Sequence, residues 1–164
     1  MSALSELHTD MLVRLVVATA LGALIGYERE RTGKPAGVRT HGMVALGAAL
    51  FTLVSVNGFG PSSDPARVAA QIVTGIGFVG AGAILHQGHG VQGLTTAASL
   101  WVTAAIGLAV GVGMLSMSAV TAILVFLLLR FAPDRDPAPT NRKQTTSCQG
   151  HALFIRQPSP HRGT

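Results

Sequence analysis

Three glycines in the middle of the chain have the spacing of a phosphate-binding turn. Gly75, Gly77 and Gly80 form G-x-G-x-x-G directly after an apolar run. In dinucleotide-binding folds, this turn lets the backbone approach a pyrophosphate, and an acidic residue about 20 positions later binds the ribose. Here the first acidic residue after Gly80 is Asp134. Because the acidic partner is missing, the sequence predicts no cofactor site at these glycines.

Other patterns that could support catalysis or metal binding are also incomplete. His86 and His89 stand three residues apart, but no cysteine or carboxylate is near them to complete a metal site. Lys34, in "RTGKP", lacks the upstream glycine and the following serine or threonine of a nucleotide-binding P-loop. No serine or cysteine is placed with both a histidine and an acid that could activate it. We therefore predict that the chain is not an enzyme and has no catalytic, cofactor-binding or metal-binding residues.

The distribution of charge indicates whether the elements that carry these residues lie in water or in a membrane. The 164 residues are 48% hydrophobic and 12% charged, whereas about a quarter of the residues are charged in ordinary soluble domains. No Asp, Glu, Lys or Arg occurs between Arg39 and Asp64 or between Arg67 and Arg130. A soluble element needs a solvated face, which such long uncharged stretches cannot supply. The chain is therefore predicted to be an integral membrane protein, with the lipid bilayer as its surroundings.

Five apolar segments have about the length of a membrane-spanning helix, at the lower end of roughly 17 to 25 residues. They cover residues 11–27, 40–56, 68–85, about 95–112 and about 114–131. The sequence thus predicts an all-α bundle of about five transmembrane helices over residues 1–131. The remainder, residues 132–164, is rich in Pro, Arg, Thr, Ser and Gln and is expected to form a disordered cytoplasmic tail.

The basic residues predict the orientation of these spans. The link between the first two spans carries Arg29, Arg31, Lys34 and Arg39, whereas the next link has only Arg67. Because basic residues concentrate in cytoplasmic connections, the first link and the basic tail are expected inside and the N-terminus outside, which requires an odd number of spans. The net charge of +5 is assigned to this orientation and not to nucleic-acid binding. Arg14, inside the first span, is expected to pair with Asp10 one turn earlier.

In a membrane helix, the glycines of the third span are suited to packing. They form two opposite faces, one with Gln71, Gly75 and Gly82 and the other with Gly77, Gly80 and Ala81. Small residues let membrane helices approach closely, so we expect this span to be contacted on both sides, at the centre of the bundle or of an assembly with a partner. Two G-x-x-x-G pairs predict the same kind of packing in the first and fourth spans: Gly22 with Gly26, and Gly107 with Gly111.

Three longer stretches resemble the successive signatures of one known family. They are "LGALIGYERERTGKPAGVRTHGMVALGAALF", "DPARVAAQIVTGIGFVGAGAIL" and "GLTTAASLWVTAAIGLAVGVGM". By these stretches the chain, from about residue 14 to residue 130, is identified as a member of the MgtC/SapB family of bacterial inner-membrane proteins. The resemblance implies a multi-pass protein associated with adaptation to low magnesium and, in some pathogens, with survival inside phagocytes. Within the family, this chain resembles the shorter, SapB-like members, which lack a folded cytoplasmic C-terminal domain.

The resemblance also marks candidate functional residues. The signature around the first link corresponds to Glu28, Arg29, Gly37, Arg39 and Thr40. The third-span signature corresponds to Asp64, Gln71, Gly75, Gly77, Gly80 and Gly82. The fourth-span signature corresponds to Thr95, Thr96 and Trp101. The family is implied to modulate other membrane proteins rather than to carry the ion itself.

Two functions therefore remain open. The first is a non-enzymatic modulator whose helix faces bind other inner-membrane proteins or further copies of the chain. The second is a small permease or channel subunit for Mg²⁺ or another ion, with a path lined by Gln71, Thr74, Thr95 and Thr96. Mg²⁺ prefers carboxylate oxygens, and ion paths usually show such groups at depth. Because Glu28, Glu30 and Asp64 are expected at the membrane surfaces, the first function is preferred.

Overall fold

The computed structural model of the chain describes residues 2–60, 64, 66–87 and 90–132. Over this range the chain is almost entirely helical, which confirms the predicted fold class. The helices are α1 (Ser2–Arg31), α2 (Val38–Asn57), α3 (Ala66–Ala83), α4 (Leu94–Val112) and α5 (Leu115–Phe131). A short antiparallel hairpin of β1 (Leu85–Gln87) and β2 (Gly90–Gln92), not predicted from the sequence, joins α3 to α4. The proposed tail from residue 133 onward, and His89, lie outside the described residues.

Four helices are long and apolar enough to cross a membrane, namely His8–Arg31, Val38–Asn57, Ala66–Ala83 and Leu94–Val112. The fifth, Leu115–Phe131, is also apolar but has only 17 residues, about the shortest length that spans a bilayer. Five helices agree with the predicted number, and α4 and α5 form the expected tight hairpin, with Gly113 left-handed at the turn. The orientation in the membrane stays a prediction.

Helix α4 lies at the centre of the bundle and contacts each of the other four helices. Glycines make its close approaches possible, since a Cβ on Gly107 would overlap the backbone of Ala45 and one on Gly111 would lie 2.7 Å from Thr52 Cβ. Helix α1 approaches α2 in the same way, because a Cβ on Gly22 would lie 2.6 Å from the His41 carbonyl oxygen. The packing roles predicted for the two G-x-x-x-G pairs are confirmed.

Helix α3 lies at the edge of the bundle, and the prediction that it is contacted on both sides is wrong within this chain. Only 6% of its span is buried, compared with 44% for α2 and 50% for α4. A Cβ on Gly75, Gly77 or Gly82 would meet no atom of the described residues within 4 Å. Only Gly80 is buried, with a Cβ position 3.6 Å from Ala97 Cβ. Helix α3 packs mainly against α4 and makes few contacts with α2.

Arg14, the one charged residue of the predicted first span (residues 11–27), connects α1 to α4 at the end of the bundle opposite the α1–α2 link. Arg14 Nη2 forms an ion pair with Asp10 Oδ2 at 2.7 Å, as predicted. Arg14 Nη1 also donates a hydrogen bond of 3.1 Å to the carbonyl oxygen of Gly111. This second bond, between residues 97 positions apart, ties α1 to the end of α4.

Candidate functional site

A cluster of buried polar side chains joins α1, α2 and α4 at the end of the bundle next to the α1–α2 link. We call this group the polar cluster. Each member is at most 4% exposed: Glu28, Arg29, His41, Thr96, Ser99 and Thr103. A polar group without a hydrogen-bond partner costs several kcal/mol away from water. These side chains are therefore expected to bond to one another or to the backbone.

Arg29 connects two of the family signatures. Its Nη2 donates a hydrogen bond of 2.7 Å to Thr96 Oγ1, and both residues are buried. The close approach of α1 to the start of α2, where a Cβ on Gly26 would lie 2.6 Å from the Gly37 carbonyl oxygen, brings this end of α1 against the bundle. Bonds with an ionised donor are roughly twice as strong as neutral ones. The Arg29–Thr96 bond is thus a charge-assisted link between α1 and α4.

His41 is the centre of a second set of bonds. Its Nδ1 lies 3.2 Å from the Gly37 carbonyl oxygen, and its Nε2 lies 3.1 Å from Ser99 Oγ. Ser99 Oγ in turn donates to the Thr96 carbonyl oxygen at 2.8 Å. These three contacts need three protons, whereas a neutral imidazole and one hydroxyl supply two. A neutral His41 and the Ser99 hydroxyl can therefore make two of these three bonds at a time.

Glu28 is the least satisfied member of the polar cluster. The sequence placed this carboxylate at the membrane surface, but it is only 2% exposed, because the bundle covers the last turns of α1. Its Oε2 is buried and has no hydrogen-bond partner among the described residues. No described group of three or more His, Cys, Asp or Glu side chains surrounds it as a metal site would require. Within the described residues, the hydrogen-bonding capacity of this oxygen is therefore unused.

The remaining residues of the first signature close the α1–α2 link. Glu30 Oε2 accepts a hydrogen bond of 3.1 Å from the Val38 backbone N–H. Gly37 faces this carboxylate, because a Cβ there would lie 2.6 Å from Glu30 Oε2. Arg39 is exposed and Thr40 is half-buried. Gly37 therefore has a packing role in the link, and neither Arg39 nor Thr40 belongs to the polar cluster.

The described residues do not form the ion path that the sequence suggested. Thr96 belongs to the polar cluster and Thr95 is half-buried beside it in α4. Gln71 and Thr74 are instead exposed on α3, where Thr74 Oγ1 donates to the Ala70 carbonyl oxygen of its own helix at 3.0 Å. The reason is the position of α3 at the edge of the bundle, which separates its polar residues from those of α4. Asp64 also lies apart, and its Oδ1 accepts the Ala66 N–H at 2.9 Å at the start of α3.

Two signatures meet in a shallow groove on the outside of the bundle, between α3 and α4. We call it the small-residue groove; its volume is 330 Å³, and it is lined by Ile76, Gly77, Gly80, Ala81, Ile84, Ala97, Ala98 and Trp101. Trp101 is 49% exposed. The structure thus brings the predicted residues Gly77, Gly80 and Trp101 together on one surface. Gly75 lies instead in a separate groove between α2 and α3, and Gly82 lies in neither groove.

The sequence reasoning did not select His41 and Ser99. His41 is the only histidine in the predicted spans from Thr40 to Phe131, because the other two histidines of this range, at positions 86 and 89, lie in a predicted loop. An ionisable residue inside a membrane segment is by default a candidate functional residue. That rule would have identified His41. Ser99 resembles the other small polar residues of its span and carries no comparable signal.

Comparison with known proteins supports the resemblance. The model of the MgtC family matches residues 15–135. The chain is 44% identical over 127 residues to "Putative magnesium transporter YhiD" of Escherichia coli K12. The aligned residues cover 73% of this chain and 59% of the relative. It is 50% identical over 111 residues to the protein MgtC of Brucella abortus, in an alignment that covers 68% of this chain and 46% of the relative. For the protein MgtC of Salmonella typhimurium, the identity is 46% over 127 residues, 76% of this chain and 54% of the relative.

The chain thus spans about half the length of the curated relatives it matches. No solved structure matches it. The family model covers most of the chain, including all the helices of the bundle after the first turns of α1. On these matches, this multi-pass helical membrane protein belongs to the MgtC family.

Proposed function

We propose that the chain is a non-enzymatic modulator of other proteins of the bacterial inner membrane, acting in adaptation to low magnesium. The observation that carries this proposal is the small-residue groove on the outside of α3 and α4. Lipid gives membrane helices no hydrophobic drive to associate, so association relies on close packing at small residues. Trp101, half-exposed at this groove, offers the aromatic anchor that is typical of the centre of a protein interface.

The spacing of exposed small residues on α3 extends this argument. Ala70, Thr74, Gly77 and Ala81 are all exposed and follow one another at intervals of four, three and four residues. This spacing marks one side of a helix and is the pattern along which a second helix packs at a shallow crossing angle. A partner helix would supply the dispersion contacts that Gly77 lacks within the chain. The groove and this stripe form one surface that fits a transmembrane helix.

The connection to magnesium rests on the relatives. The Escherichia coli relative is named for magnesium transport, and the family resemblance implies adaptation to low magnesium. The buried Glu28 favours a second candidate, a permease or channel subunit, because a carboxylate is the ligand that Mg²⁺ prefers. A single carboxylate that follows no metal-binding pattern, with no group of three or more His, Cys, Asp or Glu side chains among the described residues, is a poor site for a divalent cation, so the modulator is the preferred function.

Replacement of Gly77 by Leu tests the modulator. Because a Cβ at Gly77 meets no described atom within 4 Å, the leucine fills the groove and leaves the contacts within the chain intact. Gly82→Leu is the matched control, since Gly82 is equally open but lies outside the groove. We expect Gly77→Leu to lose crosslinked membrane-protein partners and growth at low magnesium, and Gly82→Leu to keep both. Wild-type crosslinking and growth in Gly77→Leu would contradict the proposal.

Magnesium flux separates the two candidate functions. The purified full chain, reconstituted in liposomes, is expected to show no Mg²⁺ uptake above that of protein-free liposomes. Glu28→Gln changes the charge of the buried carboxylate with little change in its shape. Uptake by the wild-type chain that is abolished in Glu28→Gln would replace the modulator by the permease.

A further inference from the structure

A second groove, between α2 and α3, is different from the small-residue groove in shape and lining. We call it the α2–α3 groove. Its volume is 380 Å³, within the range of about 300 to 1,000 Å³ that is usual for small-molecule sites. Its apolar lining includes Met43, Gly47 and Phe51 on α2 and Ile72, Gly75 and Val79 on α3. Neither proposed function makes use of this cavity.

Two glycines leave this space open. A Cβ on either Gly47 or Gly75 would meet no atom of the described residues within 4 Å, although both residues line the groove. Both helices are candidate membrane spans, so the groove faces the hydrocarbon of the bilayer. An occupant at this depth must therefore be mostly apolar.

The end of the groove near the start of α3 is polar. Gln71 is the one lining residue with a polar side chain, and no described residue hydrogen-bonds its amide. Arg67 lies one helical turn before Gln71, and Gly75 and Val79 follow at the same interval of four residues, so the four share one side of α3. Arg67 is exposed. A cation, a hydrogen-bonding amide and an apolar channel therefore follow one another along a single line.

We infer that the α2–α3 groove binds an anionic phospholipid. Its phosphate lies at Arg67, an ester carbonyl accepts a hydrogen bond from the Gln71 amide, and an acyl chain lies between Gly47 and Gly75. Charge complementarity selects the headgroup, because an arginine close to the membrane surface attracts anionic lipids. Among the described residues no ion pair joins Arg67 to Asp64, the nearest acid along the chain, so the guanidinium is open to a headgroup.

A helix from a second copy of the chain fits this space less well. The lining of the groove includes the large exposed side chains of Met43 and Phe51, which hold a second helix backbone away. An acyl chain is thinner and adapts its shape to an irregular apolar channel. The lipid site also lies on a different side of α3 from the small-residue groove, so the two sites can be tested separately.

Native mass spectrometry of the full chain in detergent tests the lipid site. Phosphatidylglycerol and phosphatidylcholine with the same acyl chains are added in turn, and the bound fraction is measured. We expect phosphatidylglycerol to bind about fivefold more tightly than phosphatidylcholine, the ratio that about 1 kcal/mol for one arginine near the surface produces. Arg67→Gln should remove this preference. Arg39→Gln, an equal loss of charge at an exposed site on α2, should keep it.

A second pair of variants tests the channel for the acyl chain. Gly75→Leu fills the groove without a clash inside the chain and should reduce the binding of both lipids at least tenfold. Gly77→Leu, two residues away and outside the groove, should leave lipid binding unchanged. Unchanged binding in Gly75→Leu would overturn the site. Equal binding of the two lipids by the wild-type chain would overturn the anionic headgroup, and a protein dimer lost in Gly75→Leu would replace the lipid by a second copy.

Discussion

Removal of the Thr96 hydroxyl should destabilise the bundle by an amount that the structure allows us to work out. Thr96→Val keeps the shape of the side chain and leaves no cavity, so its main effect is on the hydrogen bond from Arg29 Nη2. That bond measures 2.7 Å between residues that are 3% and 1% exposed. A hydrogen bond to a charged group contributes about 1.5 to 3 kcal/mol. Because water cannot easily replace the lost acceptor in this buried position, we expect a loss of about 2 to 3 kcal/mol.

The matched control is Thr121→Val. Thr121 is exposed, and its Oγ1 donates only to the Met117 carbonyl oxygen of its own helix. Exposed substitutions of this kind usually change stability by less than about 0.5 kcal/mol. Both variants have the same chemical change, so the difference between them isolates the contribution of the contact with Arg29.

Unfolding in mixed detergent micelles, titrated with sodium dodecyl sulfate and followed by circular dichroism, gives the free energies. A double-mutant cycle with Arg29→Met then separates the Arg29–Thr96 coupling from the other contacts of each residue. We expect a coupling energy of about 1 to 2 kcal/mol. If Thr96→Val and Thr121→Val have equal free energies of unfolding, the reasoning that this bond joins α1 to α4 is refuted.

Three further predictions concern stability, two in the same assay and the third by thermal unfolding. Ser99→Ala removes the partner of His41 Nε2 and should cost about 1 to 3 kcal/mol; an unchanged free energy of unfolding would mean that the bond makes no net contribution. Gly107→Ala forces α2 and α4 apart and should cost about 1 to 3 kcal/mol, whereas Gly47→Ala, in open space, should cost nothing; equal values for the two would contradict the close packing at α4. Arg14→Met removes a partly buried ion pair and a bond to the end of α4, and its thermal midpoint should fall by several degrees while that of Gly47→Ala does not.

The segments whose charge content reflects their surroundings, water or lipid, were the most predictable part of the chain. The uncharged run from Thr40 to Asn57 could only be a membrane segment, and it forms α2. The pair Arg14 and Asp10 was also predictable, because their spacing fixes their separation on a helix. Glycine spacing correctly indicated close packing in the first and fourth spans. These inferences depend on local geometry and solvent alone.

The position of α3 was not predictable in the same way. Small residues mark a face that can approach another helix, but they do not say whether that helix belongs to the same chain. Gly77 and Gly107 both lie among small residues of an apolar span, yet a Cβ on Gly107 would overlap the backbone of Ala45 and one on Gly77 would meet no described atom within 4 Å. Which glycines find a partner depends on how all five helices fit together. Glu28, Arg29 and Thr96 were candidates from the sequence, but their assembly with His41 and Ser99 was not predictable for the same reason, because His41 and Ser99 are 58 positions apart.

The limited attachment of α3 has a consequence for how the protein is assembled in the membrane. Helices α1 and α2 are consecutive and make extensive contacts, so they can pair as soon as both have left the ribosome. Helix α3 has few contacts with α2 and most of its contacts with α4, which is synthesised after it. The third span therefore stays undocked, in the bilayer or at the insertion machinery, until the fourth span is inserted. The newly made chain passes through a stage in which a glycine-rich helix is inserted but not yet docked.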